Sequence, residues 1–516
     1  MRRLPQEKGT KGKEAPEKSQ SVNVSLSNSL DENVLFFSSL YKDSSDVVFH
    51  SFAIGNKKAA VVYIEGLSDL QKLDELVLEN LLKMTEIIEK DFIHSLKNTI
   101  PISNIKKIDT YSACSDAIAN GNPLLLLDGL KEAYSLGIVK YEKRSIEEPS
   151  AEKGIRGPRE GFTESIGVNT SLVRRIIKDP SLKMKPLYVG KYTKTKVVIS
   201  YIEGLADQNL IQEMENRLNR IDIDGVLESG YIEQFIEDHP FSPFPQVLYT
   251  ERPDVVSANL LEGRAVLMID GTPFSLIAPI SFFSLFQSQE DYYERFWIGT
   301  FIRIIRFIFL GVAIFLPSIY VAITSFHQEM LPINLMLSIA SAREGVPFPA
   351  IVEAFLMELA FEALREAGLR LPKQIGSAVS IVGALVIGQA AVQAGIFSAP
   401  MIIVVSITGI ASFLVPRYSI GLSIRLLRFP IIILAGLLGL IGVMLALIVL
   451  IIHLSTLRSF DIPYLSPINT LHKNPMQDTF VRFPLWKMNF RPHLTGNIDS
   501  VRQGKTIEPQ PDKGGD

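Results

Sequence analysis

The chain has 516 residues, of which 47% are hydrophobic and 21% charged, with a formal net charge of −3 and a mean hydropathy of +0.21. The near-neutral charge argues against a basic nucleic-acid-binding protein, so we expect no nucleic acid among its partners. The one cysteine, Cys114, excludes an intramolecular disulfide framework and a cysteine-rich zinc site.

The first 30 residues are rich in Lys, Glu, Ser and Asn, and no apolar run follows the charges. This composition predicts a disordered, solvated tail over 1–30 and not a signal peptide. From about residue 31 to 300 the composition is that of a soluble α/β protein.

This soluble part contains an internal repeat. Tyr63–Leu67 recurs as Tyr201–Leu205, and Gly121–Gly129 corresponds to Gly263–Gly271. Two matched blocks in the same order predict two copies of one α/β fold, at 31–140 and 169–285, joined by a linker at 141–168. In each copy we expect a strand that ends at Glu-Gly, an amphipathic helix, and a buried strand that leads into an Asp-Gly type I′ hairpin turn.

The acidic residues Glu65 and Glu203 end the first strand of each copy. They are candidate functional carboxylates, but a strand-end acid that caps the next helix is the favoured interpretation.

The composition changes after residue 300. Residues 307–324, 374–416 and 429–452 carry no charge. The last run has 24 residues and would form a helix of about 36 Å, enough to cross a hydrocarbon core of about 30 Å. Pro400 divides the middle run into a predicted helical hairpin. We therefore expect an α-helical, multi-span membrane domain at 286–458, followed by a polar C-terminal tail at 459–516.

One apolar segment, 346–369, carries the ionisable residues Glu353, Glu358, Glu362 and Arg365. At 100° per residue Glu358, Glu362 and Arg365 share a helix face, whereas Glu353 falls away from it. An acidic face repeated around an oligomer would concentrate cations in a pore. The alternatives are an amphipathic helix on the membrane surface or an internal Glu362–Arg365 ion pair.

The number of spans depends on this segment. If it crosses the membrane there are five spans, and the basic groups at 303–306, 365–373 and 417–428 all lie in short cytoplasmic loops together with the large N-terminal region. If it lies on the surface there are four, and the tail returns to the cytoplasm. The positive-inside rule favours five.

The first helix of the predicted hairpin has small residues at spacings of four, three and four: Ala384, Gly388, Ala391 and Gly395. This face is suited to close helix packing in lipid, and a permeation surface is the alternative.

The sequence lacks the metal-binding and nucleophilic-hydrolase motifs that would indicate an enzyme. The seven histidines are scattered, and neither HExxH nor, in the soluble half, GxSxG is present. We therefore expect no metal, no cofactor and no enzymatic activity.

Several longer motifs resemble the A subunit of GerA-type spore germinant receptors. They are Gly157–Ser165, which includes Pro158, Arg159 and Glu160, together with Pro243–Gln246, Pro347–Pro349 and Ser380–Val392. The resemblance implies a multi-pass protein of the spore inner membrane that contacts lipid, self-associates and assembles with B and C subunits. It also implies a nutrient-gated ion channel that responds indirectly to a small nutrient germinant, because the B subunit supplies the nutrient site.

Two other functions remain open on the sequence. One is a secondary transporter, against which we find no inverted repeat in the membrane half. The other is a non-conducting scaffold for partner subunits.

Overall fold

The computed structural model describes residues 24–84, 92–140, 149, 152, 154–370, 388–468, 478–491 and 499–503. The chain divides into two compact units. The first takes in the chain up to Ile236, Tyr249–Pro279 and the described residues of Asn489–Lys505. The second takes in Glu237–Leu248 and the described residues of Ile280–Met488.

Two five-stranded sheets are built from the first part of the chain. One contains β1 (Val47–Ile54), β2 (Lys57–Ile64), β3 (Ile105–Ile108), β4 (Leu124–Leu127) and β5 (Ala133–Leu136) in the order β1-β2-β4-β5-β3. The other contains β6 (Leu182–Val189), β7 (Thr195–Ile202), β8 (Leu248–Thr250), β9 (Ala265–Ile269) and β10 (Ser275–Ala278) in the order β6-β7-β9-β10-β8. The two sheets thus have the same strand order, as a duplicated fold requires; apart from the N-terminal one, the domain bounds remain a prediction.

Nine α-helices of the first unit accompany these sheets: α1 (Leu30–Leu40), α2 (Leu70–Lys72), α3 (Glu79–Leu82), α4 (Phe92–Thr99), α5 (Tyr111–Ala119), α6 (Ile166–Ile176), α7 (Gln208–Asn219), α8 (Ser229–Ile236) and α9 (Pro253–Leu261), as counted over the described residues. A π-helical stretch, Leu73–Leu78, joins α2 to α3. Alternate residues of β2 enter two different apolar clusters, so both faces of the first sheet are covered.

The duplication extends to single hydrogen bonds. Asp128 Oδ1 accepts from the Leu30 N–H at the start of α1 (3.1 Å), and Asp270 Oδ1 accepts from the Ile166 N–H at the start of α6 (3.1 Å). The Asp-Gly pairs do not form the expected two-residue type I′ turns. Each instead opens a five-residue connection, β4 to β5 and β9 to β10.

Helix capping differs from the sequence interpretation in one more respect. The Asp69 carboxylate accepts from the Lys72 N–H (3.3 Å) at the start of α2, and Asp207 accepts from the Asn209 N–H (2.9 Å) at the start of α7. The caps therefore lie four residues after Glu65 and Glu203, since the Glu-Gly turn must be completed before the helix begins.

The N-terminal boundary also needs correction. Residues 24–30 were expected in the disordered tail, yet Leu26 and Leu30 are buried in the core of the first repeat. The Leu26 N–H donates to the Asp109 carbonyl (3.0 Å). These two leucines place the start of the packed chain several residues earlier than the composition indicated.

The second unit is helical. Its described helices are α10 (Glu290–Tyr293), α11 (Phe296–Phe326), α12 (Ile333–Arg343), α13 (Ala350–Arg370), α14 (helical residues 388–393), α15 (Ala399–Phe413), α16 (Tyr418–Leu438) and α17 (Leu440–Thr456). A short hairpin, β11 (Arg458–Ser459) and β12 (Ile462–Pro463), follows α17.

Two of the described helices are long and apolar enough to cross a membrane, α11 with 31 residues and α16 with 21. Their lengths are about 46 and 32 Å at 1.5 Å per residue. The apolar helices α15 and α17 are shorter, with 15 and 17 residues. The five-span arrangement remains a prediction, and residues 374–387 of the predicted hairpin lie outside the described part.

Two details of the predicted spans are corrected. The run 429–452 is not one helix, because Gly439 adopts a left-handed φ of +63° and separates α16 from α17. The arginines assigned to short loops lie inside helices: Arg303 and Arg306 in α11, and Arg425 and Arg428 in α16. Pro400, the expected divider of the hairpin, occupies the first turn of α15.

Candidate functional site

The four predicted polar residues Glu353, Glu358, Glu362 and Arg365 all lie on α13. This helix packs against α11, α15 and α16 in the second unit. Glu353 and Glu358 are fully buried, and Glu362 and Arg365 are half-buried. We call these four residues and their arginine partners on α16 the charged layer.

The deepest contact in the charged layer joins Glu358 to Arg428 of α16. The two side chains form an ion pair and a hydrogen bond, and each is about 1% exposed. Arg428 Nε also donates to the Ala313 carbonyl of α11 (2.9 Å). One guanidinium therefore links three helices.

The sequence explains why the Ala313 carbonyl needs a hydrogen-bond donor from another helix. Its regular helical partner would be the N–H of the residue four positions later, which is Pro317. Proline has no N–H, so the carbonyl loses its intrahelical hydrogen bond. Arg428 supplies the replacement, in the way that neighbouring helices satisfy proline-freed groups at membrane depth.

A second ion pair lies one helical turn further along α13. Glu362 Oε2 accepts from Arg425 Nη1 (2.8 Å), so its partner is on α16 and not Arg365. Arg365 instead donates to the Ser412 hydroxyl of α15 (2.7 Å) and lies over the Phe413 ring, 4.2 Å from its centroid. The internal Glu362–Arg365 alternative is therefore replaced by contacts between helices.

Glu353 makes a different contact, at the start of α15. Its Oε1 accepts from the Ser398 N–H (2.5 Å), and Ser398 is the N-cap residue of α15. A carboxylate at this position interacts favourably with the positive end of the helix dipole. Arg343 Nε lies 3.7 Å from its other oxygen.

The charges of the layer around Glu358 nearly cancel. Two carboxylates, of Glu358 and Glu362, face three guanidinium groups, of Arg365, Arg425 and Arg428. Several buried atoms within the described part nevertheless lack a hydrogen-bond partner: Glu358 Oε1, Glu362 Oε1, Arg365 Nε and Arg428 Nη2. The layer is thus electrostatically paired but under-satisfied in hydrogen bonds.

The predicted small-residue face is only partly visible. Ala384 lies outside the described residues, Ala391 is buried, and Gly388 is half-buried, with none of the described atoms within 4 Å of a Cβ placed there. Gly395 follows α14 in a left-handed turn (φ +64°) and so does not lie on the helix face. Packing by Gly388 and Ala391 remains a prediction.

Close helix contacts occur at glycines that the sequence analysis did not select. A Cβ on Gly409 of α15 would lie 2.4 Å from the Phe361 ring, and one on Gly436 of α16 would lie 2.1 Å from Ile351. Both contacts are made by α13. Only the partner helix reveals them, because neither glycine belongs to a small-xxx-small pattern with its neighbours.

The motif residues Pro158 and Glu160 lie in the first unit. The Pro158 carbonyl accepts from Arg252 Nη2 (3.0 Å), and Glu160 pairs with Arg175 of α6. Arg159, beside them, is exposed. The motif thus fixes the chain against α6 and the start of α9.

Across the described ranges, no cluster of three or more His, Cys, Asp or Glu side chains is placed to hold a metal ion.

Comparison with known proteins identifies the family. Residues 36–494 match the model of the Bacillus/Clostridium GerA spore germination protein. The chain is 49% identical to a protein named uncharacterized membrane protein YfkQ of Bacillus subtilis, over 94% of this chain and 95% of that protein. It is 46% identical to spore germination protein KA of Bacillus subtilis, over 95% of this chain and 90% of that protein.

Among solved structures, the N-terminal domain of the A subunit of the Bacillus megaterium spore germinant receptor GerK3 is 38% identical. The match covers 51% of this chain and 98% of that one, with a TM-score of 0.41. On the family model and the curated relatives, the chain belongs to the GerA family of spore germination receptor A subunits.

Proposed function

We propose that this member of the GerA family is the A subunit of a nutrient-responsive receptor that oligomerises into a nutrient-gated ion channel. It would reside in the spore inner membrane, in contact with lipid, with its large N-terminal region in the cytoplasm. It would assemble with B and C subunits, and the nutrient would act on it indirectly.

The charged layer is the observation that carries this proposal. Ionisable side chains among apolar helices are costly, and where they occur they mark ion pathways or the elements that control them. Here Glu358 and Arg428 are both about 1% exposed, on helices that also pack against the long apolar helix α11. Filling the space between the helices does not require charges at these positions, because apolar residues of similar volume often replace a buried ion pair without loss of stability.

The pairing suggests how a gate would work. We take this arrangement as the closed state of the proposed gate, since around Glu358 three guanidinium groups face two carboxylates and do not favour cations. Separation of α13 from α16 would free Glu358 and Glu362. A ring of free carboxylates contributed by several copies of the chain would then attract cations.

The test is ion flux through the receptor reconstituted with its B and C subunits in lipid vesicles. Nutrient-triggered flux without stoichiometric nutrient uptake is expected for a channel, whereas coupled uptake would indicate a transporter and no flux would indicate a scaffold. In the Glu358→Gln/Glu362→Gln variant we expect altered cation selectivity or loss of the response while assembly persists.

Glu366→Gln is the matched control. Glu366 is on the same helix but is exposed and pairs with Arg370 one turn away (2.6 Å), so its loss should leave flux unchanged. Spores that germinate normally with both Glu358 and Glu362 replaced would refute the acidic pathway.

A further inference from the structure

The first turns of α11 carry their charges on the inside and their apolar side chains on the outside. Arg303 and Arg306 are buried on one face of the helix. At 100° per residue, the opposite face carries four exposed apolar side chains, which we call the apolar stripe. They are Trp297, Phe301, Ile304 and Ile308, with exposed fractions of 73, 65, 42 and 59%. A helix surrounded by water has the reverse polarity, so the stripe indicates apolar surroundings.

The two buried arginines are neutralised by carboxylates of the second unit. Arg306 Nη1 donates to both oxygens of Asp291 (2.9 and 2.8 Å), and Arg303 Nη2 lies 3.3 Å from Asp291 Oδ2. Asp478, in the C-terminal tail, accepts from Arg303 Nη1 with its Oδ1 (2.8 Å) and with its main-chain carbonyl (2.7 Å). Two carboxylates, one before α11 and one in the tail, therefore face the two guanidinium groups of the helix.

Further contacts hold the tail along the start of α11. The Arg482 N–H donates to Thr300 Oγ1 (3.2 Å), and the Arg482 carbonyl accepts from the same hydroxyl (3.1 Å). The Arg482 guanidinium is buried as well and donates to the Tyr292 carbonyl (3.2 Å). The ring of Phe480 packs against that of Phe307, with 5.0 Å between the centroids. The tail thus follows the first turns of α11 and does not extend away from them.

Lipid is the surrounding that fits the apolar stripe best. The stripe runs directly into the charge-free part of α11, which is the longer of the two described helices that could cross a membrane. It begins at Trp297, and tryptophan is enriched where a helix enters a bilayer. Ionisable groups at membrane depth are costly unless they face the protein interior and are paired. Arg303 meets both conditions only because Asp478 is beside it.

We propose that the apolar stripe faces lipid and that Asp478 is the positioning residue that lets the start of α11 enter the membrane. By neutralising Arg303, the tail extends the lipid-facing part of the helix by about three turns before the charge-free run. The same contacts hold the tail on the side of the membrane where α11 begins, as in the four-span alternative. This inference deepens the proposed membrane residence, on which it rests.

The experiment measures tryptophan fluorescence of the full-length chain in phosphatidylcholine vesicles whose acyl chains are brominated, with iodide as the quencher in water. Trp486→Phe leaves Trp297 as the one tryptophan of the chain. We expect strong quenching of Trp297 by brominated lipid and weak quenching by iodide. A chain with Trp297→Phe, Trp486→Phe and Tyr192→Trp should show the reverse, because Tyr192 is 83% exposed in the turn between β6 and β7.

Asp478→Asn, made in the Trp486→Phe chain, tests the role of the tail. Quenching of Trp297 by brominated lipid should fall about twofold or more, because Arg303 loses a carboxylate at membrane depth. Asp461→Asn is the matched control. Asp461 is exposed in the turn between β11 and β12, so the same loss of one negative charge should leave the quenching unchanged.

The outcomes that would overturn the proposal differ from one another. Quenching of Trp297 by iodide alone would place the stripe in water, and quenching by neither agent would show that protein covers it. No fall in Asp478→Asn, or an equal fall in Asp461→Asn, would refute the role of Asp478.

Flotation of the chain with the vesicles separates failure of this inference from failure of the proposed function. A chain that does not float refutes membrane residence and the lipid-facing stripe together. A chain that floats while brominated lipid leaves Trp297 unquenched refutes the stripe alone. Neither readout needs ion flux, so both are independent of whether the receptor is a channel.

Discussion

Replacement of Arg428 by methionine tests the charged layer most directly. The change leaves the buried Glu358 carboxylate without its partner, which costs about 3–5 kcal/mol in measured buried pairs. It also removes the donor to the Ala313 carbonyl, which adds about 1 kcal/mol. Together we expect Arg428→Met to lower the free energy of unfolding by about 4–6 kcal/mol, a large share of the 5–15 kcal/mol typical of native proteins.

Two further variants separate these contributions. Glu358→Leu combined with Arg428→Met removes both charges. The free energy of unfolding of this double variant should differ from that of the parent protein by about 1 kcal/mol, in addition to the cost of the Ala313 carbonyl that has lost its donor. In a Pro317→Ala background the Ala313 carbonyl regains an intrahelical N–H, so the cost of Arg428→Met should fall by about 1 kcal/mol.

The assay is denaturant unfolding of the full-length chain in detergent, followed by the fluorescence of its tryptophans, Trp297 and Trp486. The reasoning is refuted if Arg428→Met costs less than about 1 kcal/mol. It is also refuted if the double variant with Glu358→Leu is as unstable as the single one, because the cost would then lie in packing volume and not in an unpaired charge.

The two repeats supply a matched pair of glycines, Gly66 and Gly204, which both have a left-handed φ (+84° and +83°). A Cβ on Gly66 would lie 3.0 Å from Ser171 Cβ, whereas none of the described atoms lies within 4 Å of a Cβ on Gly204. Thermal unfolding should show a loss of about 1–2 kcal/mol for Gly204→Ala and about 1–3 kcal/mol more for Gly66→Ala, and equal losses would contradict the crowding argument. Glu228 tests pH dependence: burial raises its pKa, but hydrogen bonds from Ser229, the Gly230 N–H and Thr272 outweigh this and bring the pKa below its ordinary value of 4.5. Its stabilisation is therefore present above pH 4.5 and lost as the pH falls through the lower folded-state pKa, so Glu228→Gln should flatten the fall of stability below pH 4.5, and an unchanged slope would show that other acids dominate.

The α/β half was predictable where the signal was local. The recurrence of the Tyr63–Leu67 block identified equivalent strands, because a strand, its turn and the next helix are encoded within a few residues. The Asp-Gly turns were not predictable in the same way. Asp128 and Asp270 cap helices 98 and 104 residues away in sequence, and no local pattern indicates that contact.

In the helical half, the sequence located α13 and its charges but not their partners. Glu358 and Arg428 are 70 residues apart, so no helical periodicity relates them. The positive-inside rule treats every arginine near an apolar run as a loop residue, and it misassigned Arg428 because it does not consider pairing within the helices. The break at Gly439 was missed for a similar reason, since glycine is common in apolar spans and only its left-handed backbone ends α16.

The position of Pro317 explains why an arginine stands where an apolar residue would otherwise be sufficient. Proline in α11 leaves the Ala313 carbonyl without a donor, and a charged donor from α16 satisfies it only if a carboxylate is buried nearby to balance the charge. Glu358 on α13 is that carboxylate. The three residues therefore depend on one another, and a movement that separates α13 from α16 must either carry Arg428 away from α11 or leave Glu358 unpaired. Both outcomes are costly, which makes this contact suited to hold the helices in one of two discrete arrangements.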